Sequence, residues 1–257
     1  MSELKITTVQ TDLAWEDKQT NLNNISFLLK EHISETDLII LPEMFSTGFS
    51  MNAEMLAEKM DGETINWMKH QAKKFNSAIC GSIIINENEN FYNRLIWISS
   101  TGDLFFYDKK HLFSMGNEQK TYTAGTFPII CKIRDWNIKP LICYDLRFPA
   151  WCRSNEENHL TIFIANWPEQ RISHWNYLLK SRAIENQCFV IGVNRIGLDD
   201  SKNNHTGQTQ LLNPYGETIY QAPNNTSVYT VIIYMNDLIK IRRQYPFLKD
   251  SDIFKFE

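Results

Sequence analysis

Short, wholly apolar runs alternate along the chain with stretches whose apolar residues recur every three or four positions. Residues 6–9 read as a first strand, and Leu22, Ile25, Leu28 and Leu29 share one helical face. Residues 38–41 form an unbroken apolar run stopped by Pro42, the pattern of a strand covered on both faces. Ile65, Met68, Ala72 and Phe75 predict a helix over residues 63–75, with strands at 79–85 and 95–98. The second half repeats the scheme, with apolar runs at 138–142, 160–165 and 189–193 and a helix over about 173–186. Asn213-Pro214-Tyr215-Gly216 marks a turn between two strand-like pieces. Strands interleaved with helices over the whole length predict an α/β layered fold.

No low-complexity linker divides the 257 residues, so one domain over 1–257 is expected, with a core of about 4–235 and a tail of about 236–257. In the tail, Ile239, Ile241, Tyr245, Phe247 and Leu248 could be exchanged between subunits or pack on their own chain. A chain of this length buries a large core without help from disulfides or a structural metal.

Composition removes several function classes. The formal charge of -4 is spread along the chain, and Lys109-Lys110-His111 is too short to make the basic face of a nucleic-acid-binding protein. No apolar run approaches the ~18 residues of a membrane span, and the opening MSELKITTVQ lacks the apolar centre of a secretory leader. A soluble, cytoplasmic protein without membrane or nucleic-acid partners is expected. The five cysteines include no C-x-x-C pair, so zinc-ribbon and dithiol redox readings have no support.

Candidate chemistry falls at strand ends. Glu43 follows the run ending at Leu41, and Cys143 ends the run that starts near Ile138. Open α/β sheets place their sites at such carboxyl ends. In Leu41-Pro42-Glu43-Met44-Phe45 a carboxylate sits among apolar neighbours, which suits proton transfer, although a surface or helix-capping acid would look the same. Lys109 and Lys110 lie between Leu104-Phe105-Phe106 and Leu112-Phe113, so at least one is expected to point inward. That is costly unless it meets a carboxylate or serves a reaction. Cys143 is followed at once by polar and charged residues, unlike a plain core strand, and a nearby lysine would favour its thiolate. Asp145 and Arg147 read as a local ion pair that shapes the turn.

LPEMF, DKKHLF and CYDLRFP stand in the order and approximate spacing of the Glu–Lys–Cys motifs of the nitrilase superfamily, which the chain resembles. Ala165-Asn166-Trp167-Pro168, the run from Arg182 to Gln187 and Gly192-Val193-Asn194-Arg195 extend the resemblance toward its amidase branch, the ω-amidases above all. The resemblance implies a four-layer α-β-β-α sandwich that forms a homodimer or larger homo-oligomer. It implies Glu43 as general base, Lys109 as oxyanion donor and Cys143 as nucleophile, with Glu118 as a supporting acid and the Tyr144 N–H as a second oxyanion donor. No cofactor or metal is implied. The implied substrate is a small 2-oxo acid amide such as 2-oxoglutaramate, in some relatives linked to methionine salvage. Phe45 and Trp167 are expected pocket walls. A nitrilase or N-carbamoyl amidase would use the same three residues. A non-catalytic binding protein on this fold, and a Cys–His hydrolase using His111, are the remaining alternatives.

Overall fold

The computed structural model describes residues 2–154 and 157–252. In chain order the first half carries β1 (Glu3–Gln10), α1 (Lys18–His32), β2 (Leu38–Ile40), α2 (Ala53–Leu56), α3 (Glu63–Phe75), β3 (Ala78–Glu87), β4 (Asn90–Ile98), β5 (Leu104–Asp108) and α4 (Glu118–Thr121). The second half carries β6 (Cys131–Ile133), β7 (Trp136–Ile142), α5 (Pro149–Cys152), β8 (Leu160–Ala165), α6 (Ile172–Asn186) and β9 (Phe189–Asn194). It closes with β10 (Ile196–Leu198), β11 (Asn204–Thr206), β12 (Gln210–Leu212), β13 (Thr218–Gln221), β14 (Ser227–Tyr234) and α7 (Met235–Gln244).

Two six-stranded sheets result, ordered β14-β1-β2-β3-β4-β5 and β13-β12-β9-β8-β7-β6. Each is parallel at its centre and antiparallel toward its edges. Side chains of the first sheet alternate between two layers, as the two-residue period of a strand requires. Leu4, Ile6, Leu38, Ile40, Cys80, Leu95 and Trp97 pack with Trp136, Ile138 and Leu141 of the second sheet. Val9, Ile39, Ile79, Ile83 and Ile96 turn the other way, onto Leu22, Ile25 and Leu29 of α1 and Ile65, Met68 and Ala72 of α3. Trp67 Nε1 donates to Ser26 Oγ at 2.8 Å, tying α3 to α1.

On the far side, α6 lies so close to β9 that a Cβ on Gly192 would come within 2.5 Å of Leu179 and 2.6 Å of Trp175. Glycine is required there by the approach of the helix. The fold is therefore a four-layer α-β-β-α sandwich, as expected. The described part of the tail packs on its own chain. Leu238, Ile241 and Leu248 are buried, and Arg242 Nε donates to the Gln187 carbonyl at 2.8 Å. Ile239, Tyr245 and Phe247 stay exposed. The last five residues of the expected tail lie outside the described residues. Among the described residues no helix is long and apolar enough to cross a membrane.

Candidate active site

Strand parity delivers two side chains to one place, and a turn delivers a third. In β4 the inward positions are Leu95 and Trp97, and Asn93 continues the same parity. In β5 Tyr107 faces inward, and Lys109 stands two residues further on. Beyond β2, Pro42 ends the pairing and the backbone turns at Met44, which has φ +43°. Ser82 holds this turn, its Oγ accepting from Met44 N at 2.8 Å and its carbonyl from Phe45 N at 3.2 Å. Glu43 is thereby directed inward, fully buried.

The turn sends Phe45 elsewhere. Its ring packs in the outer layer 5.8 Å from that of Trp67, over Gly81, where a Cβ would lie 2.7 Å from the ring. Phe45 is not a wall of the cavity that Glu43 reaches, contrary to the expectation from sequence. The positive φ at Met44 parts it from Glu43.

Lys109 is 1% exposed and lies between two buried carboxylates. Its Nζ donates to Glu43 Oε1 at 2.8 Å and to Glu118 Oε1 and Oε2 at 3.0 and 2.9 Å. Asn93 Nδ2 bridges the same pair, 2.9 Å from Glu43 Oε1 and 3.1 Å from Glu118 Oε1. The Phe113 N–H donates to Glu118 Oε2 at 2.6 Å, and the Asn166 N–H to Glu43 Oε2 at 2.8 Å. Buried charges persist only when paired and hydrogen-bonded in this manner. Burial by itself would lower the Lys109 ammonium, but the charges of Glu118 and Glu43 outweigh it and hold Lys109 above its ordinary value. Burial pushes Glu118 up, with Lys109 opposing.

Cys143 sits at the carboxyl end of β7 with φ +42°, opening a short 3-10 turn over Cys143–Arg147. A left-handed backbone at a non-glycine residue costs about 1–3 kcal/mol and persists only where its surroundings impose it. Here Asp145 does so. Its Oδ2 accepts from Ile142 N at 3.1 Å and Tyr107 Oη at 2.7 Å, and its Oδ1 from His111 N at 3.0 Å. One buried carboxylate thus ties the cysteine turn to the lysine segment. The expected Asp145–Arg147 ion pair is not made. With about three residues per turn, positions two apart in a 3-10 helix point in different directions.

The Tyr144 N–H belongs to the first turn of that helix, where donors lack intrahelical partners. Burial pushes the Cys143 thiol well above its ordinary range, and the Glu43 charge adds to this while Lys109 opposes. Lys109 favours the thiolate, the direction read from sequence, while burial and the Glu43 charge outweigh it. His111 pairs with Asp145 Oδ1 through Nδ1 at 2.9 Å, stacks on Phe148 and does not line the cavity.

Glu43, Lys109 and Cys143 all line one cavity of about 460 Å³. Tyr144, Asn166 and Trp167 share its wall, and Trp167 is in the position expected of it. Toward the mouth stand Arg147 and Arg171, both half-buried and without a carboxylate partner among the described residues. The Arg147 guanidinium lies 4.7 Å over the Trp167 ring, and that of Arg171 lies 5.3 Å over Phe113. Burial draws Arg147 below its ordinary value, and the positive charge of Arg171 adds to this. His205, on β11, completes that side with Asp199 and Asn203.

Sequence reasoning missed Asn93, Arg171 and His205; it took Asp145 and Arg147 together for turn-shaping residues, a role that Asp145 alone fills. Only Asn93 left a usable signal, as an amide at an inward position of an alternating strand.

Comparison with known proteins agrees with this geometry. The Carbon-nitrogen hydrolase family model matches residues 5–243. "Omega-amidase YafV" of Yersinia enterocolitica is 40% identical over 255 residues, with 99% of each chain covered. "2-oxoglutaramate amidase" of Bacillus subtilis (strain 168) is 28% identical, with 95% of this chain and 96% of that one covered. The crystal structure of XC1258 from Xanthomonas campestris, a CN-hydrolase superfamily protein with an arsenic adduct in its active site, superposes with a TM-score of 0.98 at 37% identity, covering 100% of both chains. Fold, buried acid–ammonium cluster and overall similarity agree, and the chain belongs to the carbon–nitrogen hydrolase family.

Proposed function

We propose that this protein is an ω-amidase that hydrolyses a small 2-oxo acid amide such as 2-oxoglutaramate, releasing ammonia through a thioester on Cys143. The observation that carries the reading is the convergence of Glu43, Lys109 and Cys143 on one cavity of about 460 Å³, within the size range of small-molecule sites. The names of the Yersinia and Bacillus relatives support the choice of amide.

Burial and the Glu43 charge favour the protonated form of the Cys143 thiol. Glu43 takes the thiol proton as sulfur attacks the carboxamide carbon. One ammonium proton of Lys109 goes to Glu43 and another is shared by the two oxygens of Glu118, leaving a third for the forming oxyanion. The Tyr144 N–H is the second donor. Fixed donors aimed at a developing oxyanion are among the largest contributions to acyl transfer. Glu43 returns its proton to the nitrogen, ammonia leaves, and water activated by Glu43 then cleaves the thioester.

Arg147 and Arg171 supply the positive charge that an anionic substrate's carboxylate needs, with Trp167 as the apolar wall between mouth and sulfur. A single domain suits the buried cluster that both sheets share. Exposed Tyr177 and Ile184 on α6 offer apolar surface for a homodimer. All five cysteines are unpaired, which suits the reducing cytoplasm.

The test is ammonia release from 2-oxoglutaramate, a simple nitrile and an N-carbamoyl amino acid, assayed side by side with a Cys143→Ala control. Preference for 2-oxoglutaramate is expected. Preference for either competitor would move the reading to another branch of the family.

A further inference from the structure

The substrate of the amidase reading, on which this inference rests, is a primary carboxamide, and it brings two N–H donors into the site. An ionised carboxylate offers about four lone-pair positions. Glu43 already accepts from Lys109, Asn93 and the Asn166 N–H. Its remaining position is the one the thiol proton needs. Glu118 accepts from Lys109 at both oxygens, from Asn93 and from the Phe113 N–H, and is full. Neither acid has room for a substrate N–H.

Asn166 does. Its Oδ1 is buried and has no partner among the described residues, and the residue lines the cavity beside Glu43 and Cys143. Chemistry fixes which end of the side-chain amide is free. Nδ2 lies 2.6 Å from the Glu43 carbonyl oxygen, which can only accept. Turning the amide over would set two oxygens against each other, so the carbonyl end is the one left open. Asn93 Oδ1 is also without a partner among the described residues, but Asn93 does not line the cavity. A buried amide oxygen without a donor is unfavourable, and beside a cavity it suits a ligand that brings one.

We infer that Asn166 Oδ1 accepts an N–H of the scissile carboxamide and makes the site selective for amides over esters. In the tetrahedral adduct this contact holds the nitrogen so that its lone pair takes the proton carried by Glu43. The C–N bond then breaks, ammonia departs and the acyl group stays on sulfur. An ester presents an oxygen where the amide has an N–H, which sets two acceptors face to face at Asn166.

The experiment compares 2-oxoglutaramate with the ω-methyl ester of 2-oxoglutarate. Both give the same thioester on Cys143, so the ratio of their kcat/KM values reports acylation alone. In Asn166→Ala and Asn166→Ser the amide-to-ester ratio is expected to fall about ten- to a hundred-fold. Both variants also lose the tether to the Glu43 carbonyl, and the control for that is Asn93→Ala. It too removes a hydrogen bond from Glu43, but the side chain lines no cavity, so both substrates should slow while the ratio stays near that of the wild type. An unmoved ratio in the Asn166 variants, or an equal fall in Asn93→Ala, overturns the assignment while the amidase reading stands. A wild-type protein that cleaves the ester and no amide overturns both.

Discussion

The inner end and the mouth of the cavity treat charge in opposite ways. Inside, Lys109, Glu43 and Glu118 are 1%, 0% and 0% exposed, and each carboxylate oxygen has at least one donor. At the mouth, Arg147 and Arg171 are half-buried, rest on the faces of Trp167 and Phe113, and meet no carboxylate among the described residues. The inner end is complete before substrate arrives, as preorganised electrostatics require. The mouth has positive charge to spare, which on the proposed function an anionic substrate completes. On the same proposed function, chemistry and substrate choice are held by separate parts of the wall, and they should respond separately to substitution.

The largest separation is expected from Cys143→Ala, which should lower kcat by roughly 10⁶-fold in a steady-state ammonia assay, with an unchanged circular-dichroism melt. Next comes Lys109→Met. Loss of an oxyanion donor should cost about 10²–10³ in kcat, and stripping two buried carboxylates of their shared cation should cost about 3–5 kcal/mol in denaturant unfolding. The adjacent Lys110 lies 5.6 Å over the Trp151 ring and is half-buried, so Lys110→Met should stay within about 0.5 kcal/mol. If the two lysines behaved alike, the inner cluster would lose its special standing.

The cavity wall that carries the buried His205 answers to pH. Burial lowers His205 to about 4, and the Arg195 charge adds to this. Its native value lies below the ~6.5 of an unfolded histidine, so on acidification the unfolded chain takes up the proton first. Its contribution is intact above about pH 6.5 and is lost progressively down to about pH 4, roughly 3 kcal/mol in all. Melting temperatures across that window should fall for the wild type and flatten in His205→Asn. The smallest effect sharpens the contrast most. Arg147→Gln should raise KM for 2-oxoglutaramate about 10- to 50-fold while leaving kcat and the KM of a neutral amide nearly unchanged.

Legibility from sequence divides along the same line. Glu43, Lys109 and Cys143 were readable as reactive types at the ends of apolar runs, and their roles, like the whole of the Glu118 assignment, came through the resemblance to the nitrilase superfamily. Asn93 was readable in principle from the parity of Leu95 and Trp97. Phe45 was misplaced because one positive φ, at Met44, turns the chain between it and Glu43. Arg147 was misread because a 3-10 turn carries it away from Asp145 and toward Trp167. Arg171 and His205 come from separate segments, brought together where β11 packs on the 3-10 turn over Glu169–Arg171. Helix α3 matched its predicted span because its apolar stripe is regular, whereas the short β10 and β11 have too few residues to show a period.

The most direct test of the account is to catch the acyl-enzyme. Wild-type protein mixed with 2-oxoglutaramate, quenched in acid within the first turnovers and digested, should show the peptide bearing Cys143 heavier by the mass of the substrate less ammonia. The peptides of Cys80, Cys131, Cys152 and Cys188 should be unchanged. Rapid ammonia release with no adduct on Cys143, together with undiminished turnover by Cys143→Ala, would contradict it.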